Sequence, residues 1–200
     1  NIQGFSGVLP IASLDRIRKM EGVKDAVPYS WFGGDYGTEK MPFTQFGTDP
    51  DHAFNVWDEF KIDPAQLKKW QQERQGCVAE RRLAERRGWK IGDKITIRGT
   101  FYPVNLDLHL CGIFEASEGA DVLWYNWTYL DESLRQKKAP RTGNAAMIFA
   151  KTTGPDVTPQ VIEAIDAQFA SSQYPTRTQT ESAFAQMFAD MIGNVRMLIL

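Results

Sequence analysis

The chain has 200 residues, 42% hydrophobic and 24% charged, which are ordinary globular proportions and exclude a disordered or low-complexity polypeptide. The formal net charge of -2, from 23 Lys and Arg against 25 Asp and Glu, gives no electrostatic footing for nucleic-acid binding by the chain as a whole. Two cysteines, Cys77 and Cys111, are too few for a disulfide scaffold; buried free thiols and a single bridge both stay open.

In chain order, Leu9-Pro10 marks a boundary. From Ser13 to Glu21 the residues Leu14, Ile17 and Met20 recur at helical spacing, with Gly22 where a C′ glycine belongs. Val23 to Phe32 is apolar and aromatic enough for a strand. Gly33-Gly34-Asp35-Tyr36-Gly37 reads as a turn, and Met41 to Phe46 as a second strand. Asp63-Pro64 caps and starts a helix that runs to Arg74, ended by Gly76. Cys77-Val78 is a short apolar piece. Glu80 to Arg87 is a further helix, closed by Gly88, and Lys94 to Ile97 a strand. From Asn105 to Phe114 the chain alternates: Leu106, Leu108 and Leu110 face one way, Asp107 and His109 the other, as in a half-buried strand. Trp124 to Leu130 fits either an extended or a helical segment. Ala145 to Ala150 is a strand, and Thr158 with Pro159 caps and starts a helix whose inward residues are Val161, Ile162, Ile165 and Phe169. Thr176 to Gln179 fits a returning strand.

The final stretch is a helix. Thr178 with Glu181 has the form of a capping box. Phe188, Met191, Val195 and Leu198 follow a 3-then-4 alternation and, with Phe184, make a seam for packing or dimerisation. At 1.5 Å per residue, Thr180 to Leu200 would extend roughly 30 Å. No run of eighteen apolar residues occurs. The apolar C-terminal end, and an Asn1 start without initiator methionine or targeting signal, predict a piece excised from between two membrane segments.

Signals for catalysis are weak. The sequence has no G-x-x-x-x-G-K-[ST] loop and no Gly-x-Ser-x-Gly elbow, and its two histidines lie near no Gly-flanked serine. Asp49, Asp51 and His52 cluster in a loop, and Asp107 and His109 share a strand face. Either set could ligate a metal, but a Pro-containing turn and a polar outer strand face account for them better. No catalytic residue, metal site or cofactor is therefore assigned. Between Glu80 and Arg98, seven cations against three acids leave +4. Arg81, Arg82, Arg86 and Arg87 could meet anionic headgroups or an acidic partner, or form a solvated face paired with glutamates. Trp124, Tyr125, Trp127 and Tyr129 could present a surface to a protein partner or fill a core.

Three segments in order carry a resemblance. Ser13 to Val27, with Gly22-Val23 after the helix, resembles the opening of the extracytoplasmic domains of MacB/FtsX-type ABC transporter permeases. Val78 to Ile97, with Leu83-Ala84, Gly88, Ile91-Gly92-Asp93 and Lys94-Ile95, is similar to that family's next segment, and Leu110-Cys111-Gly112-Ile113-Phe114 to its following strand. The basic helix at Arg81 to Arg87 and the aromatic Trp124 to Tyr129 depart from the family pattern.

The resemblance implies an α+β periplasmic core domain. A porter-like subdomain of two β-α-β units would come from both chain ends (1–48 and 144–179), with a small α/β subdomain inserted at 49–143. Residues 180–200 would form a stalk helix leading to a transmembrane segment. It further implies a non-enzymatic role, transmitting motion driven by a separate cytoplasmic ATPase, in a permease that pairs with a second copy at the cell membrane. The alternatives are a docking module that recruits a periplasmic protein through the aromatic segment, and a small metal-dependent hydrolase using Asp49 and His52 or Asp107 and His109.

Overall fold

The computed structural model describes residues 9–116, 121–184 and 186. The first half runs β1 (Leu9–Pro10), α1 (Ala12–Arg18), β2 (Val23–Trp31), β3 (Asp35–Tyr36), β4 (Thr44–Thr48), α2 (Ala53–Val56), β5 (Lys61–Ile62) and α3 (Pro64–Gln72). There follow β6 (Gly76–Glu80), α4 (Arg81–Arg87), β7 (Lys94–Arg98), β8 (Leu106–Glu115), β9 (Val122–Asn126), α5 (Trp127–Gln136), β10 (Asn144–Ala145), β11 (Met147–Thr152) and α6 (Thr158–Phe169). The class is α+β.

Local chemistry sets the starts of α3, α4 and α5. The Asp63 carboxylate accepts from the amides of Ala65 and Gln66, and Pro64 needs no amide bond at the first helical position. Glu80 accepts from the Leu83 amide, and Gly88 closes α4 in the left-handed region at φ 68°. The stretch from Trp124 is both things in turn: β9 ends at Asn126, whose side chain accepts from the Thr128 amide and starts α5. Thr158 is not the cap of α6; a 3-10 turn at Pro155–Val157 precedes it, and its hydroxyl donates back to the Gly154 carbonyl.

One mixed sheet has the order β11-β2-β4-β9-β6-β8-β7-β3, with β5 paired to the end of β8; β1 and β10 form a separate two-stranded piece. The pairs β4/β9 and β6/β8 are parallel and the others antiparallel. Asp35-Tyr36, expected within a turn, pairs with Arg98 and Ile97 as an edge strand. β4 lies two or three residues later than its apolar pattern suggests, because it takes its register from β9, from Thr44 opposite Val122 to Thr48 opposite Asn126. β8 shifts register against β6 between Cys77 and Val78: Leu106, Leu108 and Leu110 face one side of the sheet, Cys111 and Phe114 the other.

Strand alternation divides the core by face. On one face, Leu14, Ile17, Ala26, Val161, Ile165 and Phe169 join α1 and α6 to β2, next to a larger cluster that α4 and α5 cover through Leu83, Ala84, Leu130 and Leu134. The opposite face is aromatic: Trp57, Trp70, Phe114 and Trp124 pack with Val27 and the half-buried Tyr29, Phe46 and Phe149. Gly22 makes the close α1–β2 turn at φ 82°, where a Cβ would stand 2.8 Å from the Val161 side chain.

The segment Thr176–Gln179 is not a strand. Among the described residues it has no ladder partner; instead Thr176 and Thr178 bond to the Asp166 carboxylate on α6. The helical turn at 181–184 is capped by Thr180, whose hydroxyl accepts from the Ala183 amide, so the capping role falls two residues later than Thr178.

Candidate functional site

Of the predicted seam, Phe184 is described. Its ring meets Phe149 edge-on with centroids 6.1 Å apart. Phe188, Met191, Val195 and Leu198 lie outside the described residues. Phe149 opens a series of ring contacts into the molecule: to Trp57 at 5.3 Å, from Trp57 to Trp124 at 4.9 Å, and from Trp124 to Phe114 at 4.8 Å. A branch runs from Phe149 to Tyr29 at 4.9 Å and on to Phe46 at 3.9 Å. Sequence reading missed Phe149, Tyr29 and Trp57 as members of one cluster. Each lies on a different element, and only sheet order brings them together.

The structure corrects the reading of the aromatic segment as a surface. Trp124 is 1% exposed, Tyr125 0% and Trp127 7%, and Tyr129 is half-buried. Their polar atoms are engaged inside the fold. The Trp124 indole donates to the Tyr29 hydroxyl, the Tyr125 hydroxyl to the Ser30 carbonyl, the Trp127 indole to Ser30 Oγ, and Gln75 donates to the Tyr129 hydroxyl. Strand β9 is paired on both edges, by β4 and β6, and covered on both faces, since Leu123 and Tyr125 enter one core cluster and Val122 and Trp124 the other; that double cover accounts for its large rings.

The basic helix is largely neutralised. Arg81 pairs with Glu115 at 3.0 Å, Arg86 with Asp121, and Arg87 with Glu39 at 2.6 Å, while the Arg87 guanidinium also lies over the Tyr36 and Phe43 rings. Arg82 is exposed, and a contact with an anionic partner would fall to it.

The metal candidates have other employment. His52 Nδ1 lies 2.9 and 2.8 Å from the two Asp25 oxygens, Asp49 accepts from Arg18 at 2.8 Å, and the Asp51 amide donates to Asp49. Asp25, 7% exposed, also accepts from Asn55 and from the Ala26 amide. Burial raises its pKa, but the bonds from His52, Asn55 and Ala26 outweigh that and hold it below the ordinary carboxylate range. In the second set, Asp107 is exposed and accepts from Thr96, whereas His109 pairs with Glu73. Among the described residues, no group of three or more His, Cys, Asp and Glu side chains is placed to hold a metal ion. Cys77 and Cys111 are buried free thiols. Burial, then the Glu73 carboxylate, pushes Cys111 up to about 12, and burial likewise raises Cys77.

Beside Arg18, the residues Ile11, Asp15, Pro28, Asp49, Trp127 and Thr128 border a shallow cleft of about 320 Å³ between α1 and the start of α5. Its charged groups are the Arg18–Asp49 pair and Asp15, and it shows no constellation of nucleophile and base.

The architecture agrees with what the chain is similar to. The periplasmic region of MacB from Actinobacillus actinomycetemcomitans matches with a TM-score of 0.61 at 12% identity, over 90% of this chain and 83% of that one. The extracellular domain of the noncanonic ABC-type transporter YknZ from Gram-positive bacteria matches with a TM-score of 0.59 at 12% identity, over 86% and 90%. A permease-protein domain from Porphyromonas gingivalis matches with a TM-score of 0.55 at 12% identity, over 84% and 79%. At that identity these likenesses concern the fold. No curated protein sequence matches the chain. Among the described residues, no helix is long and apolar enough to cross a membrane. A family model, that of the MacB-like periplasmic core domain, matches residues 2–168. The chain therefore belongs to the MacB-like periplasmic core domain family, the extracytoplasmic domains of MacB/FtsX-type ABC transporter permeases.

Proposed function

We propose that the domain is non-catalytic and carries motion, driven by a separate cytoplasmic ATPase, to the extracytoplasmic side of a permease that works with a second copy of itself. In this reading residues 1–48 and 144–179 form the porter-like part, 49–143 the inserted part, and 180–200 the stalk with its seam. The observation that supports it most is the contact of Phe184 on Phe149, from which packed rings lead through Trp57 to Trp124 and Phe114. A displacement of the helical turn at 181–184 is thereby delivered to rings in the middle of the sheet, and close-packed rings transmit it with little compliance. The test uses the complete permease with its ATPase in a bilayer. A spin label at Ile91, 45% exposed and on the turn before β7, reports the distance between the two copies. The expected result is a shift of that distance between nucleotide-free and ATP-bound states; an unchanged distribution would rule the reading out.

A second reading, docking of an extracytoplasmic protein, has its support at a different place from the buried Trp124 segment. Phe101 is 60% exposed, leans on Trp31 at 5.1 Å, and sits on a loop anchored by Tyr102 stacked on Phe32. Phe101→Ala would then weaken capture of the partner while leaving the thermal midpoint unchanged.

A further inference from the structure

We propose that Asp166 is a latch that sets the direction in which the chain leaves the sheet, and that opening it frees the helical turn at 181–184 without loosening the core. Helix α6 packs on the face of the sheet that holds Leu14, Ala26 and Val161. Phe184, only fifteen residues past Phe169, packs on Phe149, whose ring belongs to the aromatic core of the opposite face. The segment 170–180 therefore crosses from one face to the other at the β11 border, where β11 has β2 as its ladder partner.

This crossing segment is held in an unusual way. Pro175, Arg177, Gln179 and Thr180 are exposed, and Thr176 and Thr178 only half-buried, so little apolar burial fixes it. Ser172 and Thr180 bond only to near neighbours in sequence, and between them the polar contacts of Thr176 and Thr178 converge on one carboxylate. Asp166 Oδ1 accepts from Thr176 Oγ1 at 2.9 Å, from the Thr178 amide at 3.0 Å and from Thr178 Oγ1 at 2.7 Å; Oδ2 shares the same amide at 3.2 Å. Towards the start of α6 the segment stands off. Pro155, Thr158, Pro159, Ile162, Glu163 and Thr180 border an open groove of about 540 Å³. The segment is thus tied at its middle and has room to move beyond the tie.

The donors and the acceptor all lie near solvent, so water can replace every bond when the latch opens. The stripe that anchors α6 is Val161, Ile165 and Phe169, and it needs nothing from Asp166. Three donors on one ionised acceptor make a strong tie, and a single substitution releases it. The use of this latch in transmitting motion rests on the reading above; the latch itself does not.

Hydrogen exchange on the 200-residue chain tests it with Asp166→Ala and Thr178→Val. In Asp166→Ala, peptides across 175–184 should exchange roughly ten- to hundred-fold faster while those of β2, β6, β8 and β9 keep their rates. Thr178→Val, which retains the amide donor, should give a smaller gain. Unchanged exchange across 175–184, or equal acceleration through the sheet strands, would overturn the latch. In the complete permease, Asp166→Ala should abolish the ATP-dependent shift at Ile91. A shift that survives the substitution would deny the latch its part in transmission. No shift in the unsubstituted permease would instead count against the transmission reading alone.

Discussion

Asp25 is a carboxylate placed where the strand it belongs to is almost closed to water, and it stays ionised because four groups converge on it: Arg18, His52, Asn55 and the Ala26 amide. Its pKa lies below the ordinary 3.8, so it contributes stability in full above that value, and the contribution is lost as pH falls through the lower folded value. Thermal midpoints measured from neutral pH down to about pH 2 should therefore fall, and Asp25→Asn should make the acid limb shallower. Trp124 makes the opposite kind of demand. Its indole is enclosed by Phe114, Trp57 and Phe60, and Trp124→Ala should cost about 3–5 kcal/mol in denaturant unfolding. A variant that lost a binding partner at unchanged stability would contradict that placement. Cys77 and Cys111 are shut in and poorly ionised, so a thiol reagent at pH 8 should label neither in the native chain and both in denaturant.

At the scale of elements, the α1–β2 turn is a tightly constrained joint. Gly22 combines a left-handed φ of 82° with a neighbour 2.8 Å from where a Cβ would stand. Gly22→Ala should destabilise the chain by about 1–3 kcal/mol, whereas Gly88→Ala, with open space around it, should cost only the left-handed conformation, about 1–2 kcal/mol. Equilibrium unfolding of the two variants side by side checks the difference. Helix α4 shows which of two readings of its four arginines holds: the face is solvated and paired, but Glu39, Glu115 and Asp121 from three distant segments, and no acid of the helix itself, meet three of them. Those acids lie 34 to 48 residues away in sequence, beyond any helical spacing rule.

For the whole molecule, the decisive feature is that one sheet runs through both the chain ends and the middle. Strand β2 pairs with β11 along its length and with β4 at Ser30 and Trp31, and β4 leads through β9 to β6 and β8. The aromatic core draws Val27, Tyr29 and Phe149 from the ends and Trp57, Phe114 and Trp124 from the middle. Neither part can lose its packing without exposing the other. Circular dichroism and tryptophan fluorescence should therefore report one coincident unfolding transition, and two resolved transitions would mean that ends and middle are stable apart.

Residue order alone determined the helices with local caps and stripes, at Asp63-Pro64, at Glu80 to Gly88 and at Val161 to Phe169, because their signals lie within one or two turns of chain. It also determined the alternating strand at Leu106 to Leu110 and, through three short segments, the family. Tertiary structure decided the rest. It placed Trp124 and Tyr125 inside, because β9 is central and covered on both faces. It turned Asp35-Tyr36 into an edge strand through a partner some sixty residues on. It also took Thr178 from a helix cap to a ligand of Asp166, twelve residues back. In each case a residue with two admissible local roles was settled by a neighbour remote in sequence, whose position only the folded sheet supplies.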